Sequence, residues 1–212
     1  RFLNTEEDLE KLRRLENYSY HKEMESGFLW VRTMREEETE MTASLLAECF
    51  AESMVMAASY VKLLKFLVTN YLMERRETLP NSATLIGSYR ENGEEDFELA
   101  GTVELTFSSG ANHSPPTPTP PKDSPYICNM AVRKPIRRRG IGWHLLRAGE
   151  ELITEMNPAT EAAYLHCRMI DEGPLNMYRK AGYTIVKTDS LLTLLTLQRR
   201  RHLMRKRLPP PP

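Results

Sequence analysis

The first half of the chain alternates between helical and extended spacing of its apolar residues. In two segments apolar side chains recur every three or four positions, as at Met41, Leu45 and Cys49, which indicates amphipathic helices. Thr5 followed by three acidic residues is typical of the start of another helix. The turn sequence Glu91-Asn92-Gly93 lies between two apolar runs and indicates an antiparallel hairpin. These patterns predict helices at residues 5–16, 39–50 and 60–71 and strands at residues 28–32, 83–89 and 97–107.

The second half of the chain begins with a proline-rich segment that regular structure cannot contain. Residues 110–125 are interrupted by proline throughout, so we expect a loop inserted between two strands. After this loop the pattern predicts strands at residues 126–132, 162–168, 183–187 and 191–197 and helices at residues 140–153 and 174–180. This order of strands and helices predicts an α/β (α+β) fold, with one mixed sheet that carries helices on both faces.

The length of 212 residues suits a single domain with terminal extensions. We expect an N-terminal helical extension at residues 1–25, one domain at residues 26–198, and a basic, proline-ended tail at residues 199–212. Basic and acidic residues number 29 each, so the net charge does not indicate a class of partner. The tail concentrates arginine, which favours contact with ribosomal RNA or an acidic peptide, the alternative being a solvated, disordered end.

Neither a membrane-spanning segment nor a metal-binding motif is visible in the sequence. No apolar run reaches the roughly 18 residues of a bilayer-spanning helix. Cys49, Cys128 and Cys167 do not have the spacing of metal ligands, and their odd number leaves at least one without a disulfide partner. We therefore expect no metal cofactor, no membrane partner, and buried free thiols.

Two glycines open the helix predicted at residues 140–153, directly after three arginines. Gly140 and Gly142 let an anion approach the backbone, and the unpaired N–H groups at a helix start bind phosphate. The segment lacks the lysine of a P-loop, and Leu145 takes the place of the third glycine of a dinucleotide-binding motif. A phosphate-binding turn is one interpretation. A plain strand-to-helix turn and a solvated or nucleic-acid-binding arginine patch are the others.

This turn and its flanks resemble the acetyl-CoA motif of the GCN5-related N-acetyltransferases. The pattern R-x-x-G-x-G follows a strand that ends at Val132, and residues 164–166 and 177–183 resemble the same family, most sharply its N-terminal acetyltransferase catalytic subunits. The resemblance implies a mostly antiparallel seven-stranded sheet, with acetyl-CoA as the cofactor. The residues that it assigns to the cofactor are Met130, Ala131, Val132, Arg137, Arg138, Arg139, Gly140, Ile141, Gly142, Trp143, Asp171 and Tyr178.

The same resemblance implies three side chains that carry the chemistry. Acetyl transfer to an amine needs a neutral amine, a stabilised oxyanion and a proton for the leaving thiolate. By resemblance Tyr178 donates that proton, while Tyr126 and His166 hold a water that takes the amine proton. Histidine titrates near pH 6.5, so a neutral imidazole that accepts is the expected form. Packing roles for Tyr178 and His166 are the alternatives, and Glu48 and Glu104 are reserve bases.

The resemblance and one energetic argument narrow the choice of acceptor amine. An α-amine has an ordinary pKa near 8 and a lysine one near 10.4, so deprotonating lysine costs about 3 kcal/mol more. We therefore expect a protein α-amine as acceptor. A lysine ε-amine is a second acceptor, because residues 188–192 lack the tyrosine pair of many peptide-binding relatives.

The sequence leaves two alternative functions and two alternative compartments open. A small amine such as a polyamine or an arylalkylamine is the alternative acceptor, and a non-catalytic module that binds RNA or a protein partner is the alternative function. The inserted loop, the N-terminal segment and the basic tail also look like the plant plastid acetyltransferases. That resemblance implies a chloroplast location, with the cytoplasm as the alternative.

Overall fold

A computed structural model describes residues 5–54, 58–107 and 117–190, residue 193, and residues 199–209. In these ranges it contains five α-helices and eight β-strands. The helices are Glu6–Asn17 (α1), Thr39–Met54 (α2), Val61–Glu77 (α3), Ile141–Met156 (α4) and Glu172–Lys180 (α5). The strands are Ser19–Met24 (β1), Gly27–Thr33 (β2), Ser82–Glu91 (β3), Glu98–Thr106 (β4), Tyr126–Val132 (β5), Ala162–Arg168 (β6), Thr184–Thr188 (β7) and Arg201–Arg207 (β8).

The described strands form one mixed sheet in the order β1-β2-β3-β4-β5-β6-β8-β7. Strands β1, β2 and β3 pair antiparallel, and so do β6, β8 and β7. Strand β5 pairs parallel with β6 through Tyr126 opposite Tyr164 and Ile127 opposite Leu165. The predicted mixed, mostly antiparallel sheet is therefore confirmed, with eight strands instead of seven.

The chain is organised as two compact units. The first unit contains α1 to α3, β1 to β3, β4 as far as Glu104, β5 from Asn129, and α4 as far as Gly149. The second unit contains the remaining parts of β4, β5 and α4, together with β6, α5, β7 and β8.

The first unit has an apolar core between its helices and its strands. Strand β2 alternates as a half-covered strand does, with Leu29 and Val31 fully buried and Trp30 between them half-buried. Helix α1 begins where predicted, since the Thr5 hydroxyl accepts a hydrogen bond from the Asp8 N–H at 3.1 Å. One buried cluster comprises Met34, Ala43, Leu46, Val68, Leu72, Ile86 and Ala131.

The second unit combines an apolar core with one buried ion pair. Leu165 and Met204 face each other on neighbouring strands and are both almost fully buried. The Lys206 ammonium lies 2.6 Å from a Glu150 carboxylate oxygen, and both side chains are largely buried. Removing one partner of such a pair would leave the other charge buried without compensation, which makes this contact a strong constraint on how β8 docks.

Two strands differ from the sequence prediction. Residues 201–207, which were predicted to belong to a basic tail, form β8 in the interior of the sheet. Residues 19–24, predicted to lie in a helical extension, form the edge strand β1. Both are rich in polar residues, so their pairing depends on backbone hydrogen bonds more than on an apolar pattern. The strand predicted at residues 191–197 lies outside the described residues except for residue 193.

Candidate active site

The turn before α4 has the backbone conformation of an anion-binding turn. Arg138 and Gly140 have φ angles of 68° and 88°, and the residue between them has an ordinary negative φ. Such an alternation is typical of turns whose successive N–H groups point to one side and bind anions. The first helical hydrogen bond runs from the His144 N–H to the Gly140 carbonyl at 3.2 Å. The preceding amides therefore have no acceptor inside the helix; they belong to Ile141, Gly142 and Trp143.

Gly140 makes this turn possible through its backbone freedom. A Cβ at this position would lie 3.3 Å from the Met24 Cε, the flexible end of a side chain. Space is therefore not the main constraint, and the φ of 88° is what favours glycine. Arg138 holds its positive φ with a side chain attached, at a cost of about 1 kcal/mol.

The three arginines of the turn have different surroundings. Arg137 donates from Nε to the Val132 carbonyl at 2.9 Å and from Nη2 to Glu52 at 2.8 Å. Its hydrogen bond to Glu52 lowers the pKa of that carboxyl. Arg139 pairs with Glu91 at 2.8 Å. Arg138 is exposed, and it has no ion-pair partner within the part of the chain that the structure describes. Of the three guanidinium groups, that of Arg138 is therefore the one free to meet an anion.

A buried polar network sets the course of β5 before Met130. Asn129 has a positive φ of 46° and donates from its amide to Glu104 at 2.9 Å and to the Tyr71 hydroxyl at 3.1 Å. The Tyr71 hydroxyl in turn donates to Glu104 at 2.7 Å, and the Arg75 Nε lies 2.7 Å from the same carboxylate. Because this carboxylate is 2 % exposed and fully engaged, Glu104 anchors the irregular strand and is not placed to act as a base.

The reserve base Glu48 has a different environment. It lies exposed on α2, at the edge of a surface recess of about 190 Å³ that Arg137 also lines. Cys49 lines the same recess, and burial raises the pKa of its thiol despite the hydrogen bond from Arg137. Glu48 belongs to the first unit, whereas Tyr126 and His166 belong to the second, and its role as a reserve base stays a prediction.

In the second unit, His166 is held at both ring nitrogens. Its Nε2 lies 2.8 Å from the carbonyl of Pro118, and because a carbonyl only accepts, this nitrogen carries the hydrogen. Its Nδ1 lies 2.7 Å from the Tyr126 hydroxyl, so in the neutral ring Tyr126 donates and Nδ1 accepts. Burial lowers the pKa of His166 to about 4, against the opposing effect of the Pro118 hydrogen bond. The imidazole is therefore neutral at physiological pH.

Tyr126 is oriented by this histidine. Its side chain is 6 % exposed, and burial is the main reason why the pKa of its hydroxyl is raised. The phenol therefore keeps its proton and donates it to His166, while its oxygen retains acceptor capacity. What the pair offers to a neighbouring N–H group is a neutral, fixed hydrogen-bond acceptor.

Tyr178 is a buried phenol near the C-terminal end of the same unit's α5. Its ring meets that of Tyr183 edge to face, with centroids 6.0 Å apart. Burial, reinforced by the nearby Cys167 and Asp171, raises the pKa of Tyr178, so the hydroxyl is protonated and can donate. Among the described residues none forms a hydrogen bond with this hydroxyl, which leaves its proton free for another molecule.

Asp171 and Cys167 lie close to this tyrosine. Asp171 immediately precedes α5, and its carboxylate accepts a hydrogen bond from the Arg168 Nε at 2.7 Å. Burial is the main cause that raises the pKa of the Cys167 thiol to about 11, with Asp171 adding to it. Cys167 is thus a protonated thiol in the core and not a nucleophile.

The predicted site residues are divided between the two units. Those at residues 130–132 and 137–143 belong to the first unit, whereas Tyr126, His166, Asp171 and Tyr178 belong to the second. The structure joins Tyr126 and His166 directly. Among the described residues, no group of three or more histidine, cysteine or acidic side chains could hold a metal ion. No described helix is both long and apolar enough to cross a membrane.

Three functional contacts were not predicted from the sequence. These are the Pro118 carbonyl on His166, the Glu52 carboxylate on Arg137, and the network around Asn129. Each joins residues that are more than 20 positions apart, and none has a local pattern that would identify its partner. An asparagine inside an apolar strand was the one available signal, because asparagine tolerates positive φ better than other side chains do.

Comparisons with known proteins identify the family of this chain. The model of the acetyltransferase (GNAT) family matches residues 56–183. The chain is 57% identical over 218 residues to GCN5-related N-acetyltransferase 5, chloroplastic, of Arabidopsis thaliana, which covers 99% of this chain and 68% of that protein. It is 32% identical over 94 residues to an N-alpha-acetyltransferase of Sulfurisphaera tokodaii, covering 44% of this chain and 55% of the relative.

A solved structure shows the same fold. The PaiA N-acetyltransferase of Thermoplasma acidophilum, determined in complex with coenzyme A, superposes with a TM-score of 0.57 at 14% identity. The match covers 84% of this chain and 98% of that one. Since the family match spans more than half of the chain and the Arabidopsis relative is similar almost throughout, the chain belongs to the GNAT family of acetyltransferases and is an enzyme that uses acetyl-CoA.

Proposed function

We propose that the enzyme transfers the acetyl group to the α-amine of a protein N-terminus, with lysine ε-amines as slower acceptors. The observation that carries this proposal is the neutral Tyr126–His166 pair. With a pKa of about 4, His166 does not remove a proton from an ammonium group, so the acceptor must reach the site largely neutral. At pH 8 about half of an α-amine is neutral, compared with about one lysine amine in 250.

The first unit contains the residues that would hold the cofactor. Acetyl-CoA supplies the activated acetyl group as a thioester. The free amides of Ile141, Gly142 and Trp143 and the guanidinium of Arg138 suit its diphosphate. Arg137 and Arg139 support the turn through Glu52 and Glu91. The backbone of Met130, Ala131 and Val132 would face the pantetheine arm, although the Val132 carbonyl is already engaged by Arg137.

Two tyrosines divide the proton chemistry. Tyr178 keeps its proton because of its burial and donates it to the leaving sulfur. Tyr126 offers its oxygen to the N–H of the attacking amine, directly or through a water, and thereby orients the amine lone pair. As the C–N bond forms and the C–S bond breaks, the surplus proton of the amine passes to water, and Tyr178 regains its proton from solvent. His166 acts through Tyr126 and is therefore a positioning residue. Asp171 lies beside Tyr178 with its carboxylate bound to Arg168, so its part in cofactor binding is indirect.

The relatives support both the substrate class and the compartment. The Sulfurisphaera relative is by name an N-alpha-acetyltransferase, and the Arabidopsis relative is by name chloroplastic. On this basis the enzyme is a plastid protein acetyltransferase.

A competition between acceptor classes tests the substrate. Purified enzyme is incubated with acetyl-CoA and three matched acceptors: a peptide with a free N-terminus and no lysine, the same peptide blocked at its N-terminus and carrying one lysine, and a panel of polyamines and arylalkylamines. We expect kcat/KM to be highest for the free N-terminus and lower for lysine. Activity confined to the small amines would contradict the proposal and favour the small-amine alternative.

A further inference from the structure

Three arginines on β8 share the face of the sheet that carries His166. Side chains of directly paired residues lie on the same face, and those of alternate residues along a strand do too. Tyr126 pairs with Tyr164, which pairs with Arg205. His166, two positions after Tyr164, pairs with Leu203. The arginines at alternate positions around Leu203 therefore belong to this face, and we call them the arginine strip: Arg201, Arg205 and Arg207.

No carboxylate neutralises the arginine strip within the described part of the second unit. Strands β6, β7 and β8 contain no aspartate or glutamate. The basic residue on the opposite face, Lys206, is paired with Glu150, whereas no ion pair joins the strip to an acidic side chain of the described residues. The Nε atoms of Arg201 and Arg205 are buried and have no acceptor among those residues. Asp189 binds the backbone N–H of Arg201 and not its guanidinium.

The residues outside the described ranges do not change this charge balance. The residues of the chain that the structure leaves undescribed contain no aspartate or glutamate. Burying part of a guanidinium group without a carboxylate partner costs free energy. Such groups are typical of a surface that an anionic partner completes.

The arginine strip lies close to the residues that meet the acceptor. Burial is the largest effect on both residues, lowering the pKa of His166 and raising that of Tyr126; the charge of Arg201 adds to the first shift and opposes the second. In an extended strand, alternate side chains on one face are spaced by about 7 Å, which is also the spacing of alternate side chains in an extended peptide.

We infer that the arginine strip binds acidic side chains of the acceptor, so that the enzyme favours protein N-termini followed by aspartate or glutamate. This inference rests on the proposed function. An acidic peptide fits the strip better than RNA does. Single-stranded nucleic acid binding uses exposed aromatic platforms between the cations, whereas on this face Tyr126 is buried against His166 and Tyr164 is only half-exposed.

Matched peptides test the charge preference. Two peptides with the same free N-terminus carry either Asp and Glu or Asn and Gln at positions two to five. Wild-type enzyme should have a lower KM for the acidic peptide, and the difference should shrink as ionic strength rises. Arg201→Gln and Arg205→Gln should each raise the KM for the acidic peptide about two- to five-fold, with kcat and the KM for the neutral peptide nearly unchanged.

A third substitution removes one positive charge elsewhere. Arg13 is exposed on α1 in the first unit. Arg13→Gln should leave the KM values for the acidic and the neutral peptide unchanged. Equal KM values for the two peptides in wild-type enzyme, or equal effects of all three substitutions, would overturn the inference while leaving N-terminal acetylation intact. Loss of RNA binding in the β8 variants without a change in peptide KM would also overturn it. Failure to acetylate either peptide would instead contradict the proposed function.

Discussion

At the scale of single residues, burial keeps the His166 ring neutral, and two hydrogen bonds fix its tautomer. The Pro118 carbonyl fixes the hydrogen on Nε2, and the Tyr126 hydroxyl occupies Nδ1. The folded pKa of about 4 lies below the ordinary value of 6.5, so between these values the unfolded chain binds more protons. The contribution of His166 to stability therefore increases as the pH rises from about 4 to about 6.5, and it is lost as the pH falls through that range.

The rate of acetylation should follow the titration of the acceptor and not that of His166. Because the imidazole is neutral throughout pH 6–9, kcat/KM should rise with an apparent pKa of about 8 for a peptide α-amine and near 10.4 for a lysine. Rate–pH profiles of the two matched peptides, one with only a free N-terminus and one with only a lysine, measure this directly. A limb near pH 6.5 shared by both peptides would identify His166 as a titrating base.

Substitution by the two amides separates the two hydrogen bonds of His166. The oxygen of Asn can accept from Tyr126 in place of Nδ1, whereas the nitrogen of Gln can donate to Pro118 in place of Nε2. If His166 serves to hold Tyr126, His166→Asn should lose about tenfold in kcat/KM and His166→Gln about a hundredfold. Thermal unfolding checks that both variants are folded. Better activity in the Gln variant would mean that the contact with Pro118 matters more.

Tyr178→Phe isolates the proton donor. The ring and its edge contact with Tyr183 remain, so acetyl-CoA affinity should change little, while kcat should fall about a hundredfold. Tyr183→Phe, which removes the hydroxyl of the neighbouring buried tyrosine, is the control and should keep kcat. Steady-state kinetics and a binding titration of both variants distinguish the outcomes, and an unchanged kcat in Tyr178→Phe would assign that tyrosine a packing role.

At the scale of elements, the turn before α4 depends on the backbone of one glycine. Gly140→Ala forces a side chain into a φ of 88°, which should lower the free energy of unfolding by about 1 kcal/mol and weaken acetyl-CoA binding by distorting the free amides. Gly93→Ala introduces the same strain at a φ of 91° in the β3–β4 turn, where an added Cβ meets nothing within 4 Å. Unfolding and isothermal titration of both variants should show similar destabilisation, with weaker binding in Gly140→Ala alone. Equal binding in the two would remove the turn from the cofactor site.

The elements also show where sequence patterns are informative. Strand β5 and helix α4 lie where predicted because apolar periodicity and a glycine-marked boundary coincide there. Strand β8 was missed because its two buried residues, Leu203 and Met204, are adjacent instead of alternating and are surrounded by basic residues. Strand β1 was missed because it is a polar edge strand with one neighbour. In both cases pairing with a distant strand decides the structure, and a local pattern cannot report that.

At the scale of the whole molecule, cofactor binding should be visible as stability. A ligand that binds only the folded state raises the free energy of unfolding by about 2.7 kcal/mol when its concentration is 100 times its dissociation constant. Acetyl-CoA should therefore raise the unfolding temperature of this protein. Gly142→Glu places a negative charge in the first turn of α4 and should abolish this shift. Thermal scans of both proteins with and without acetyl-CoA measure it. A shift that persists in Gly142→Glu would place the diphosphate elsewhere.

The residues of the candidate site were predicted from the sequence, but the contacts that hold these residues in place were not. The glycine turn, Tyr178 and the Tyr126–His166 pair were identified because they belong to compact local motifs or to a family resemblance. The contacts that hold them, such as Pro118 on His166, come from chain segments whose approach only tertiary structure defines. The assignment of site residues to cofactor and catalysis remains a prediction that the variants above address.

The position of β8 between β6 and β7 has a consequence for how the second unit assembles. During synthesis β7 leaves the ribosome before β8, the strand that flanks it in the sheet. Until β8 is made, the backbone of β7 has no strand to pair with. Only when β8 inserts, bringing Lys206 to Glu150, do β6 and β7 acquire their shared neighbour. Acquisition of the last two strands should therefore be a single cooperative event late in folding, and nascent chains that stall before residue 201 should be targets for chaperones and proteases.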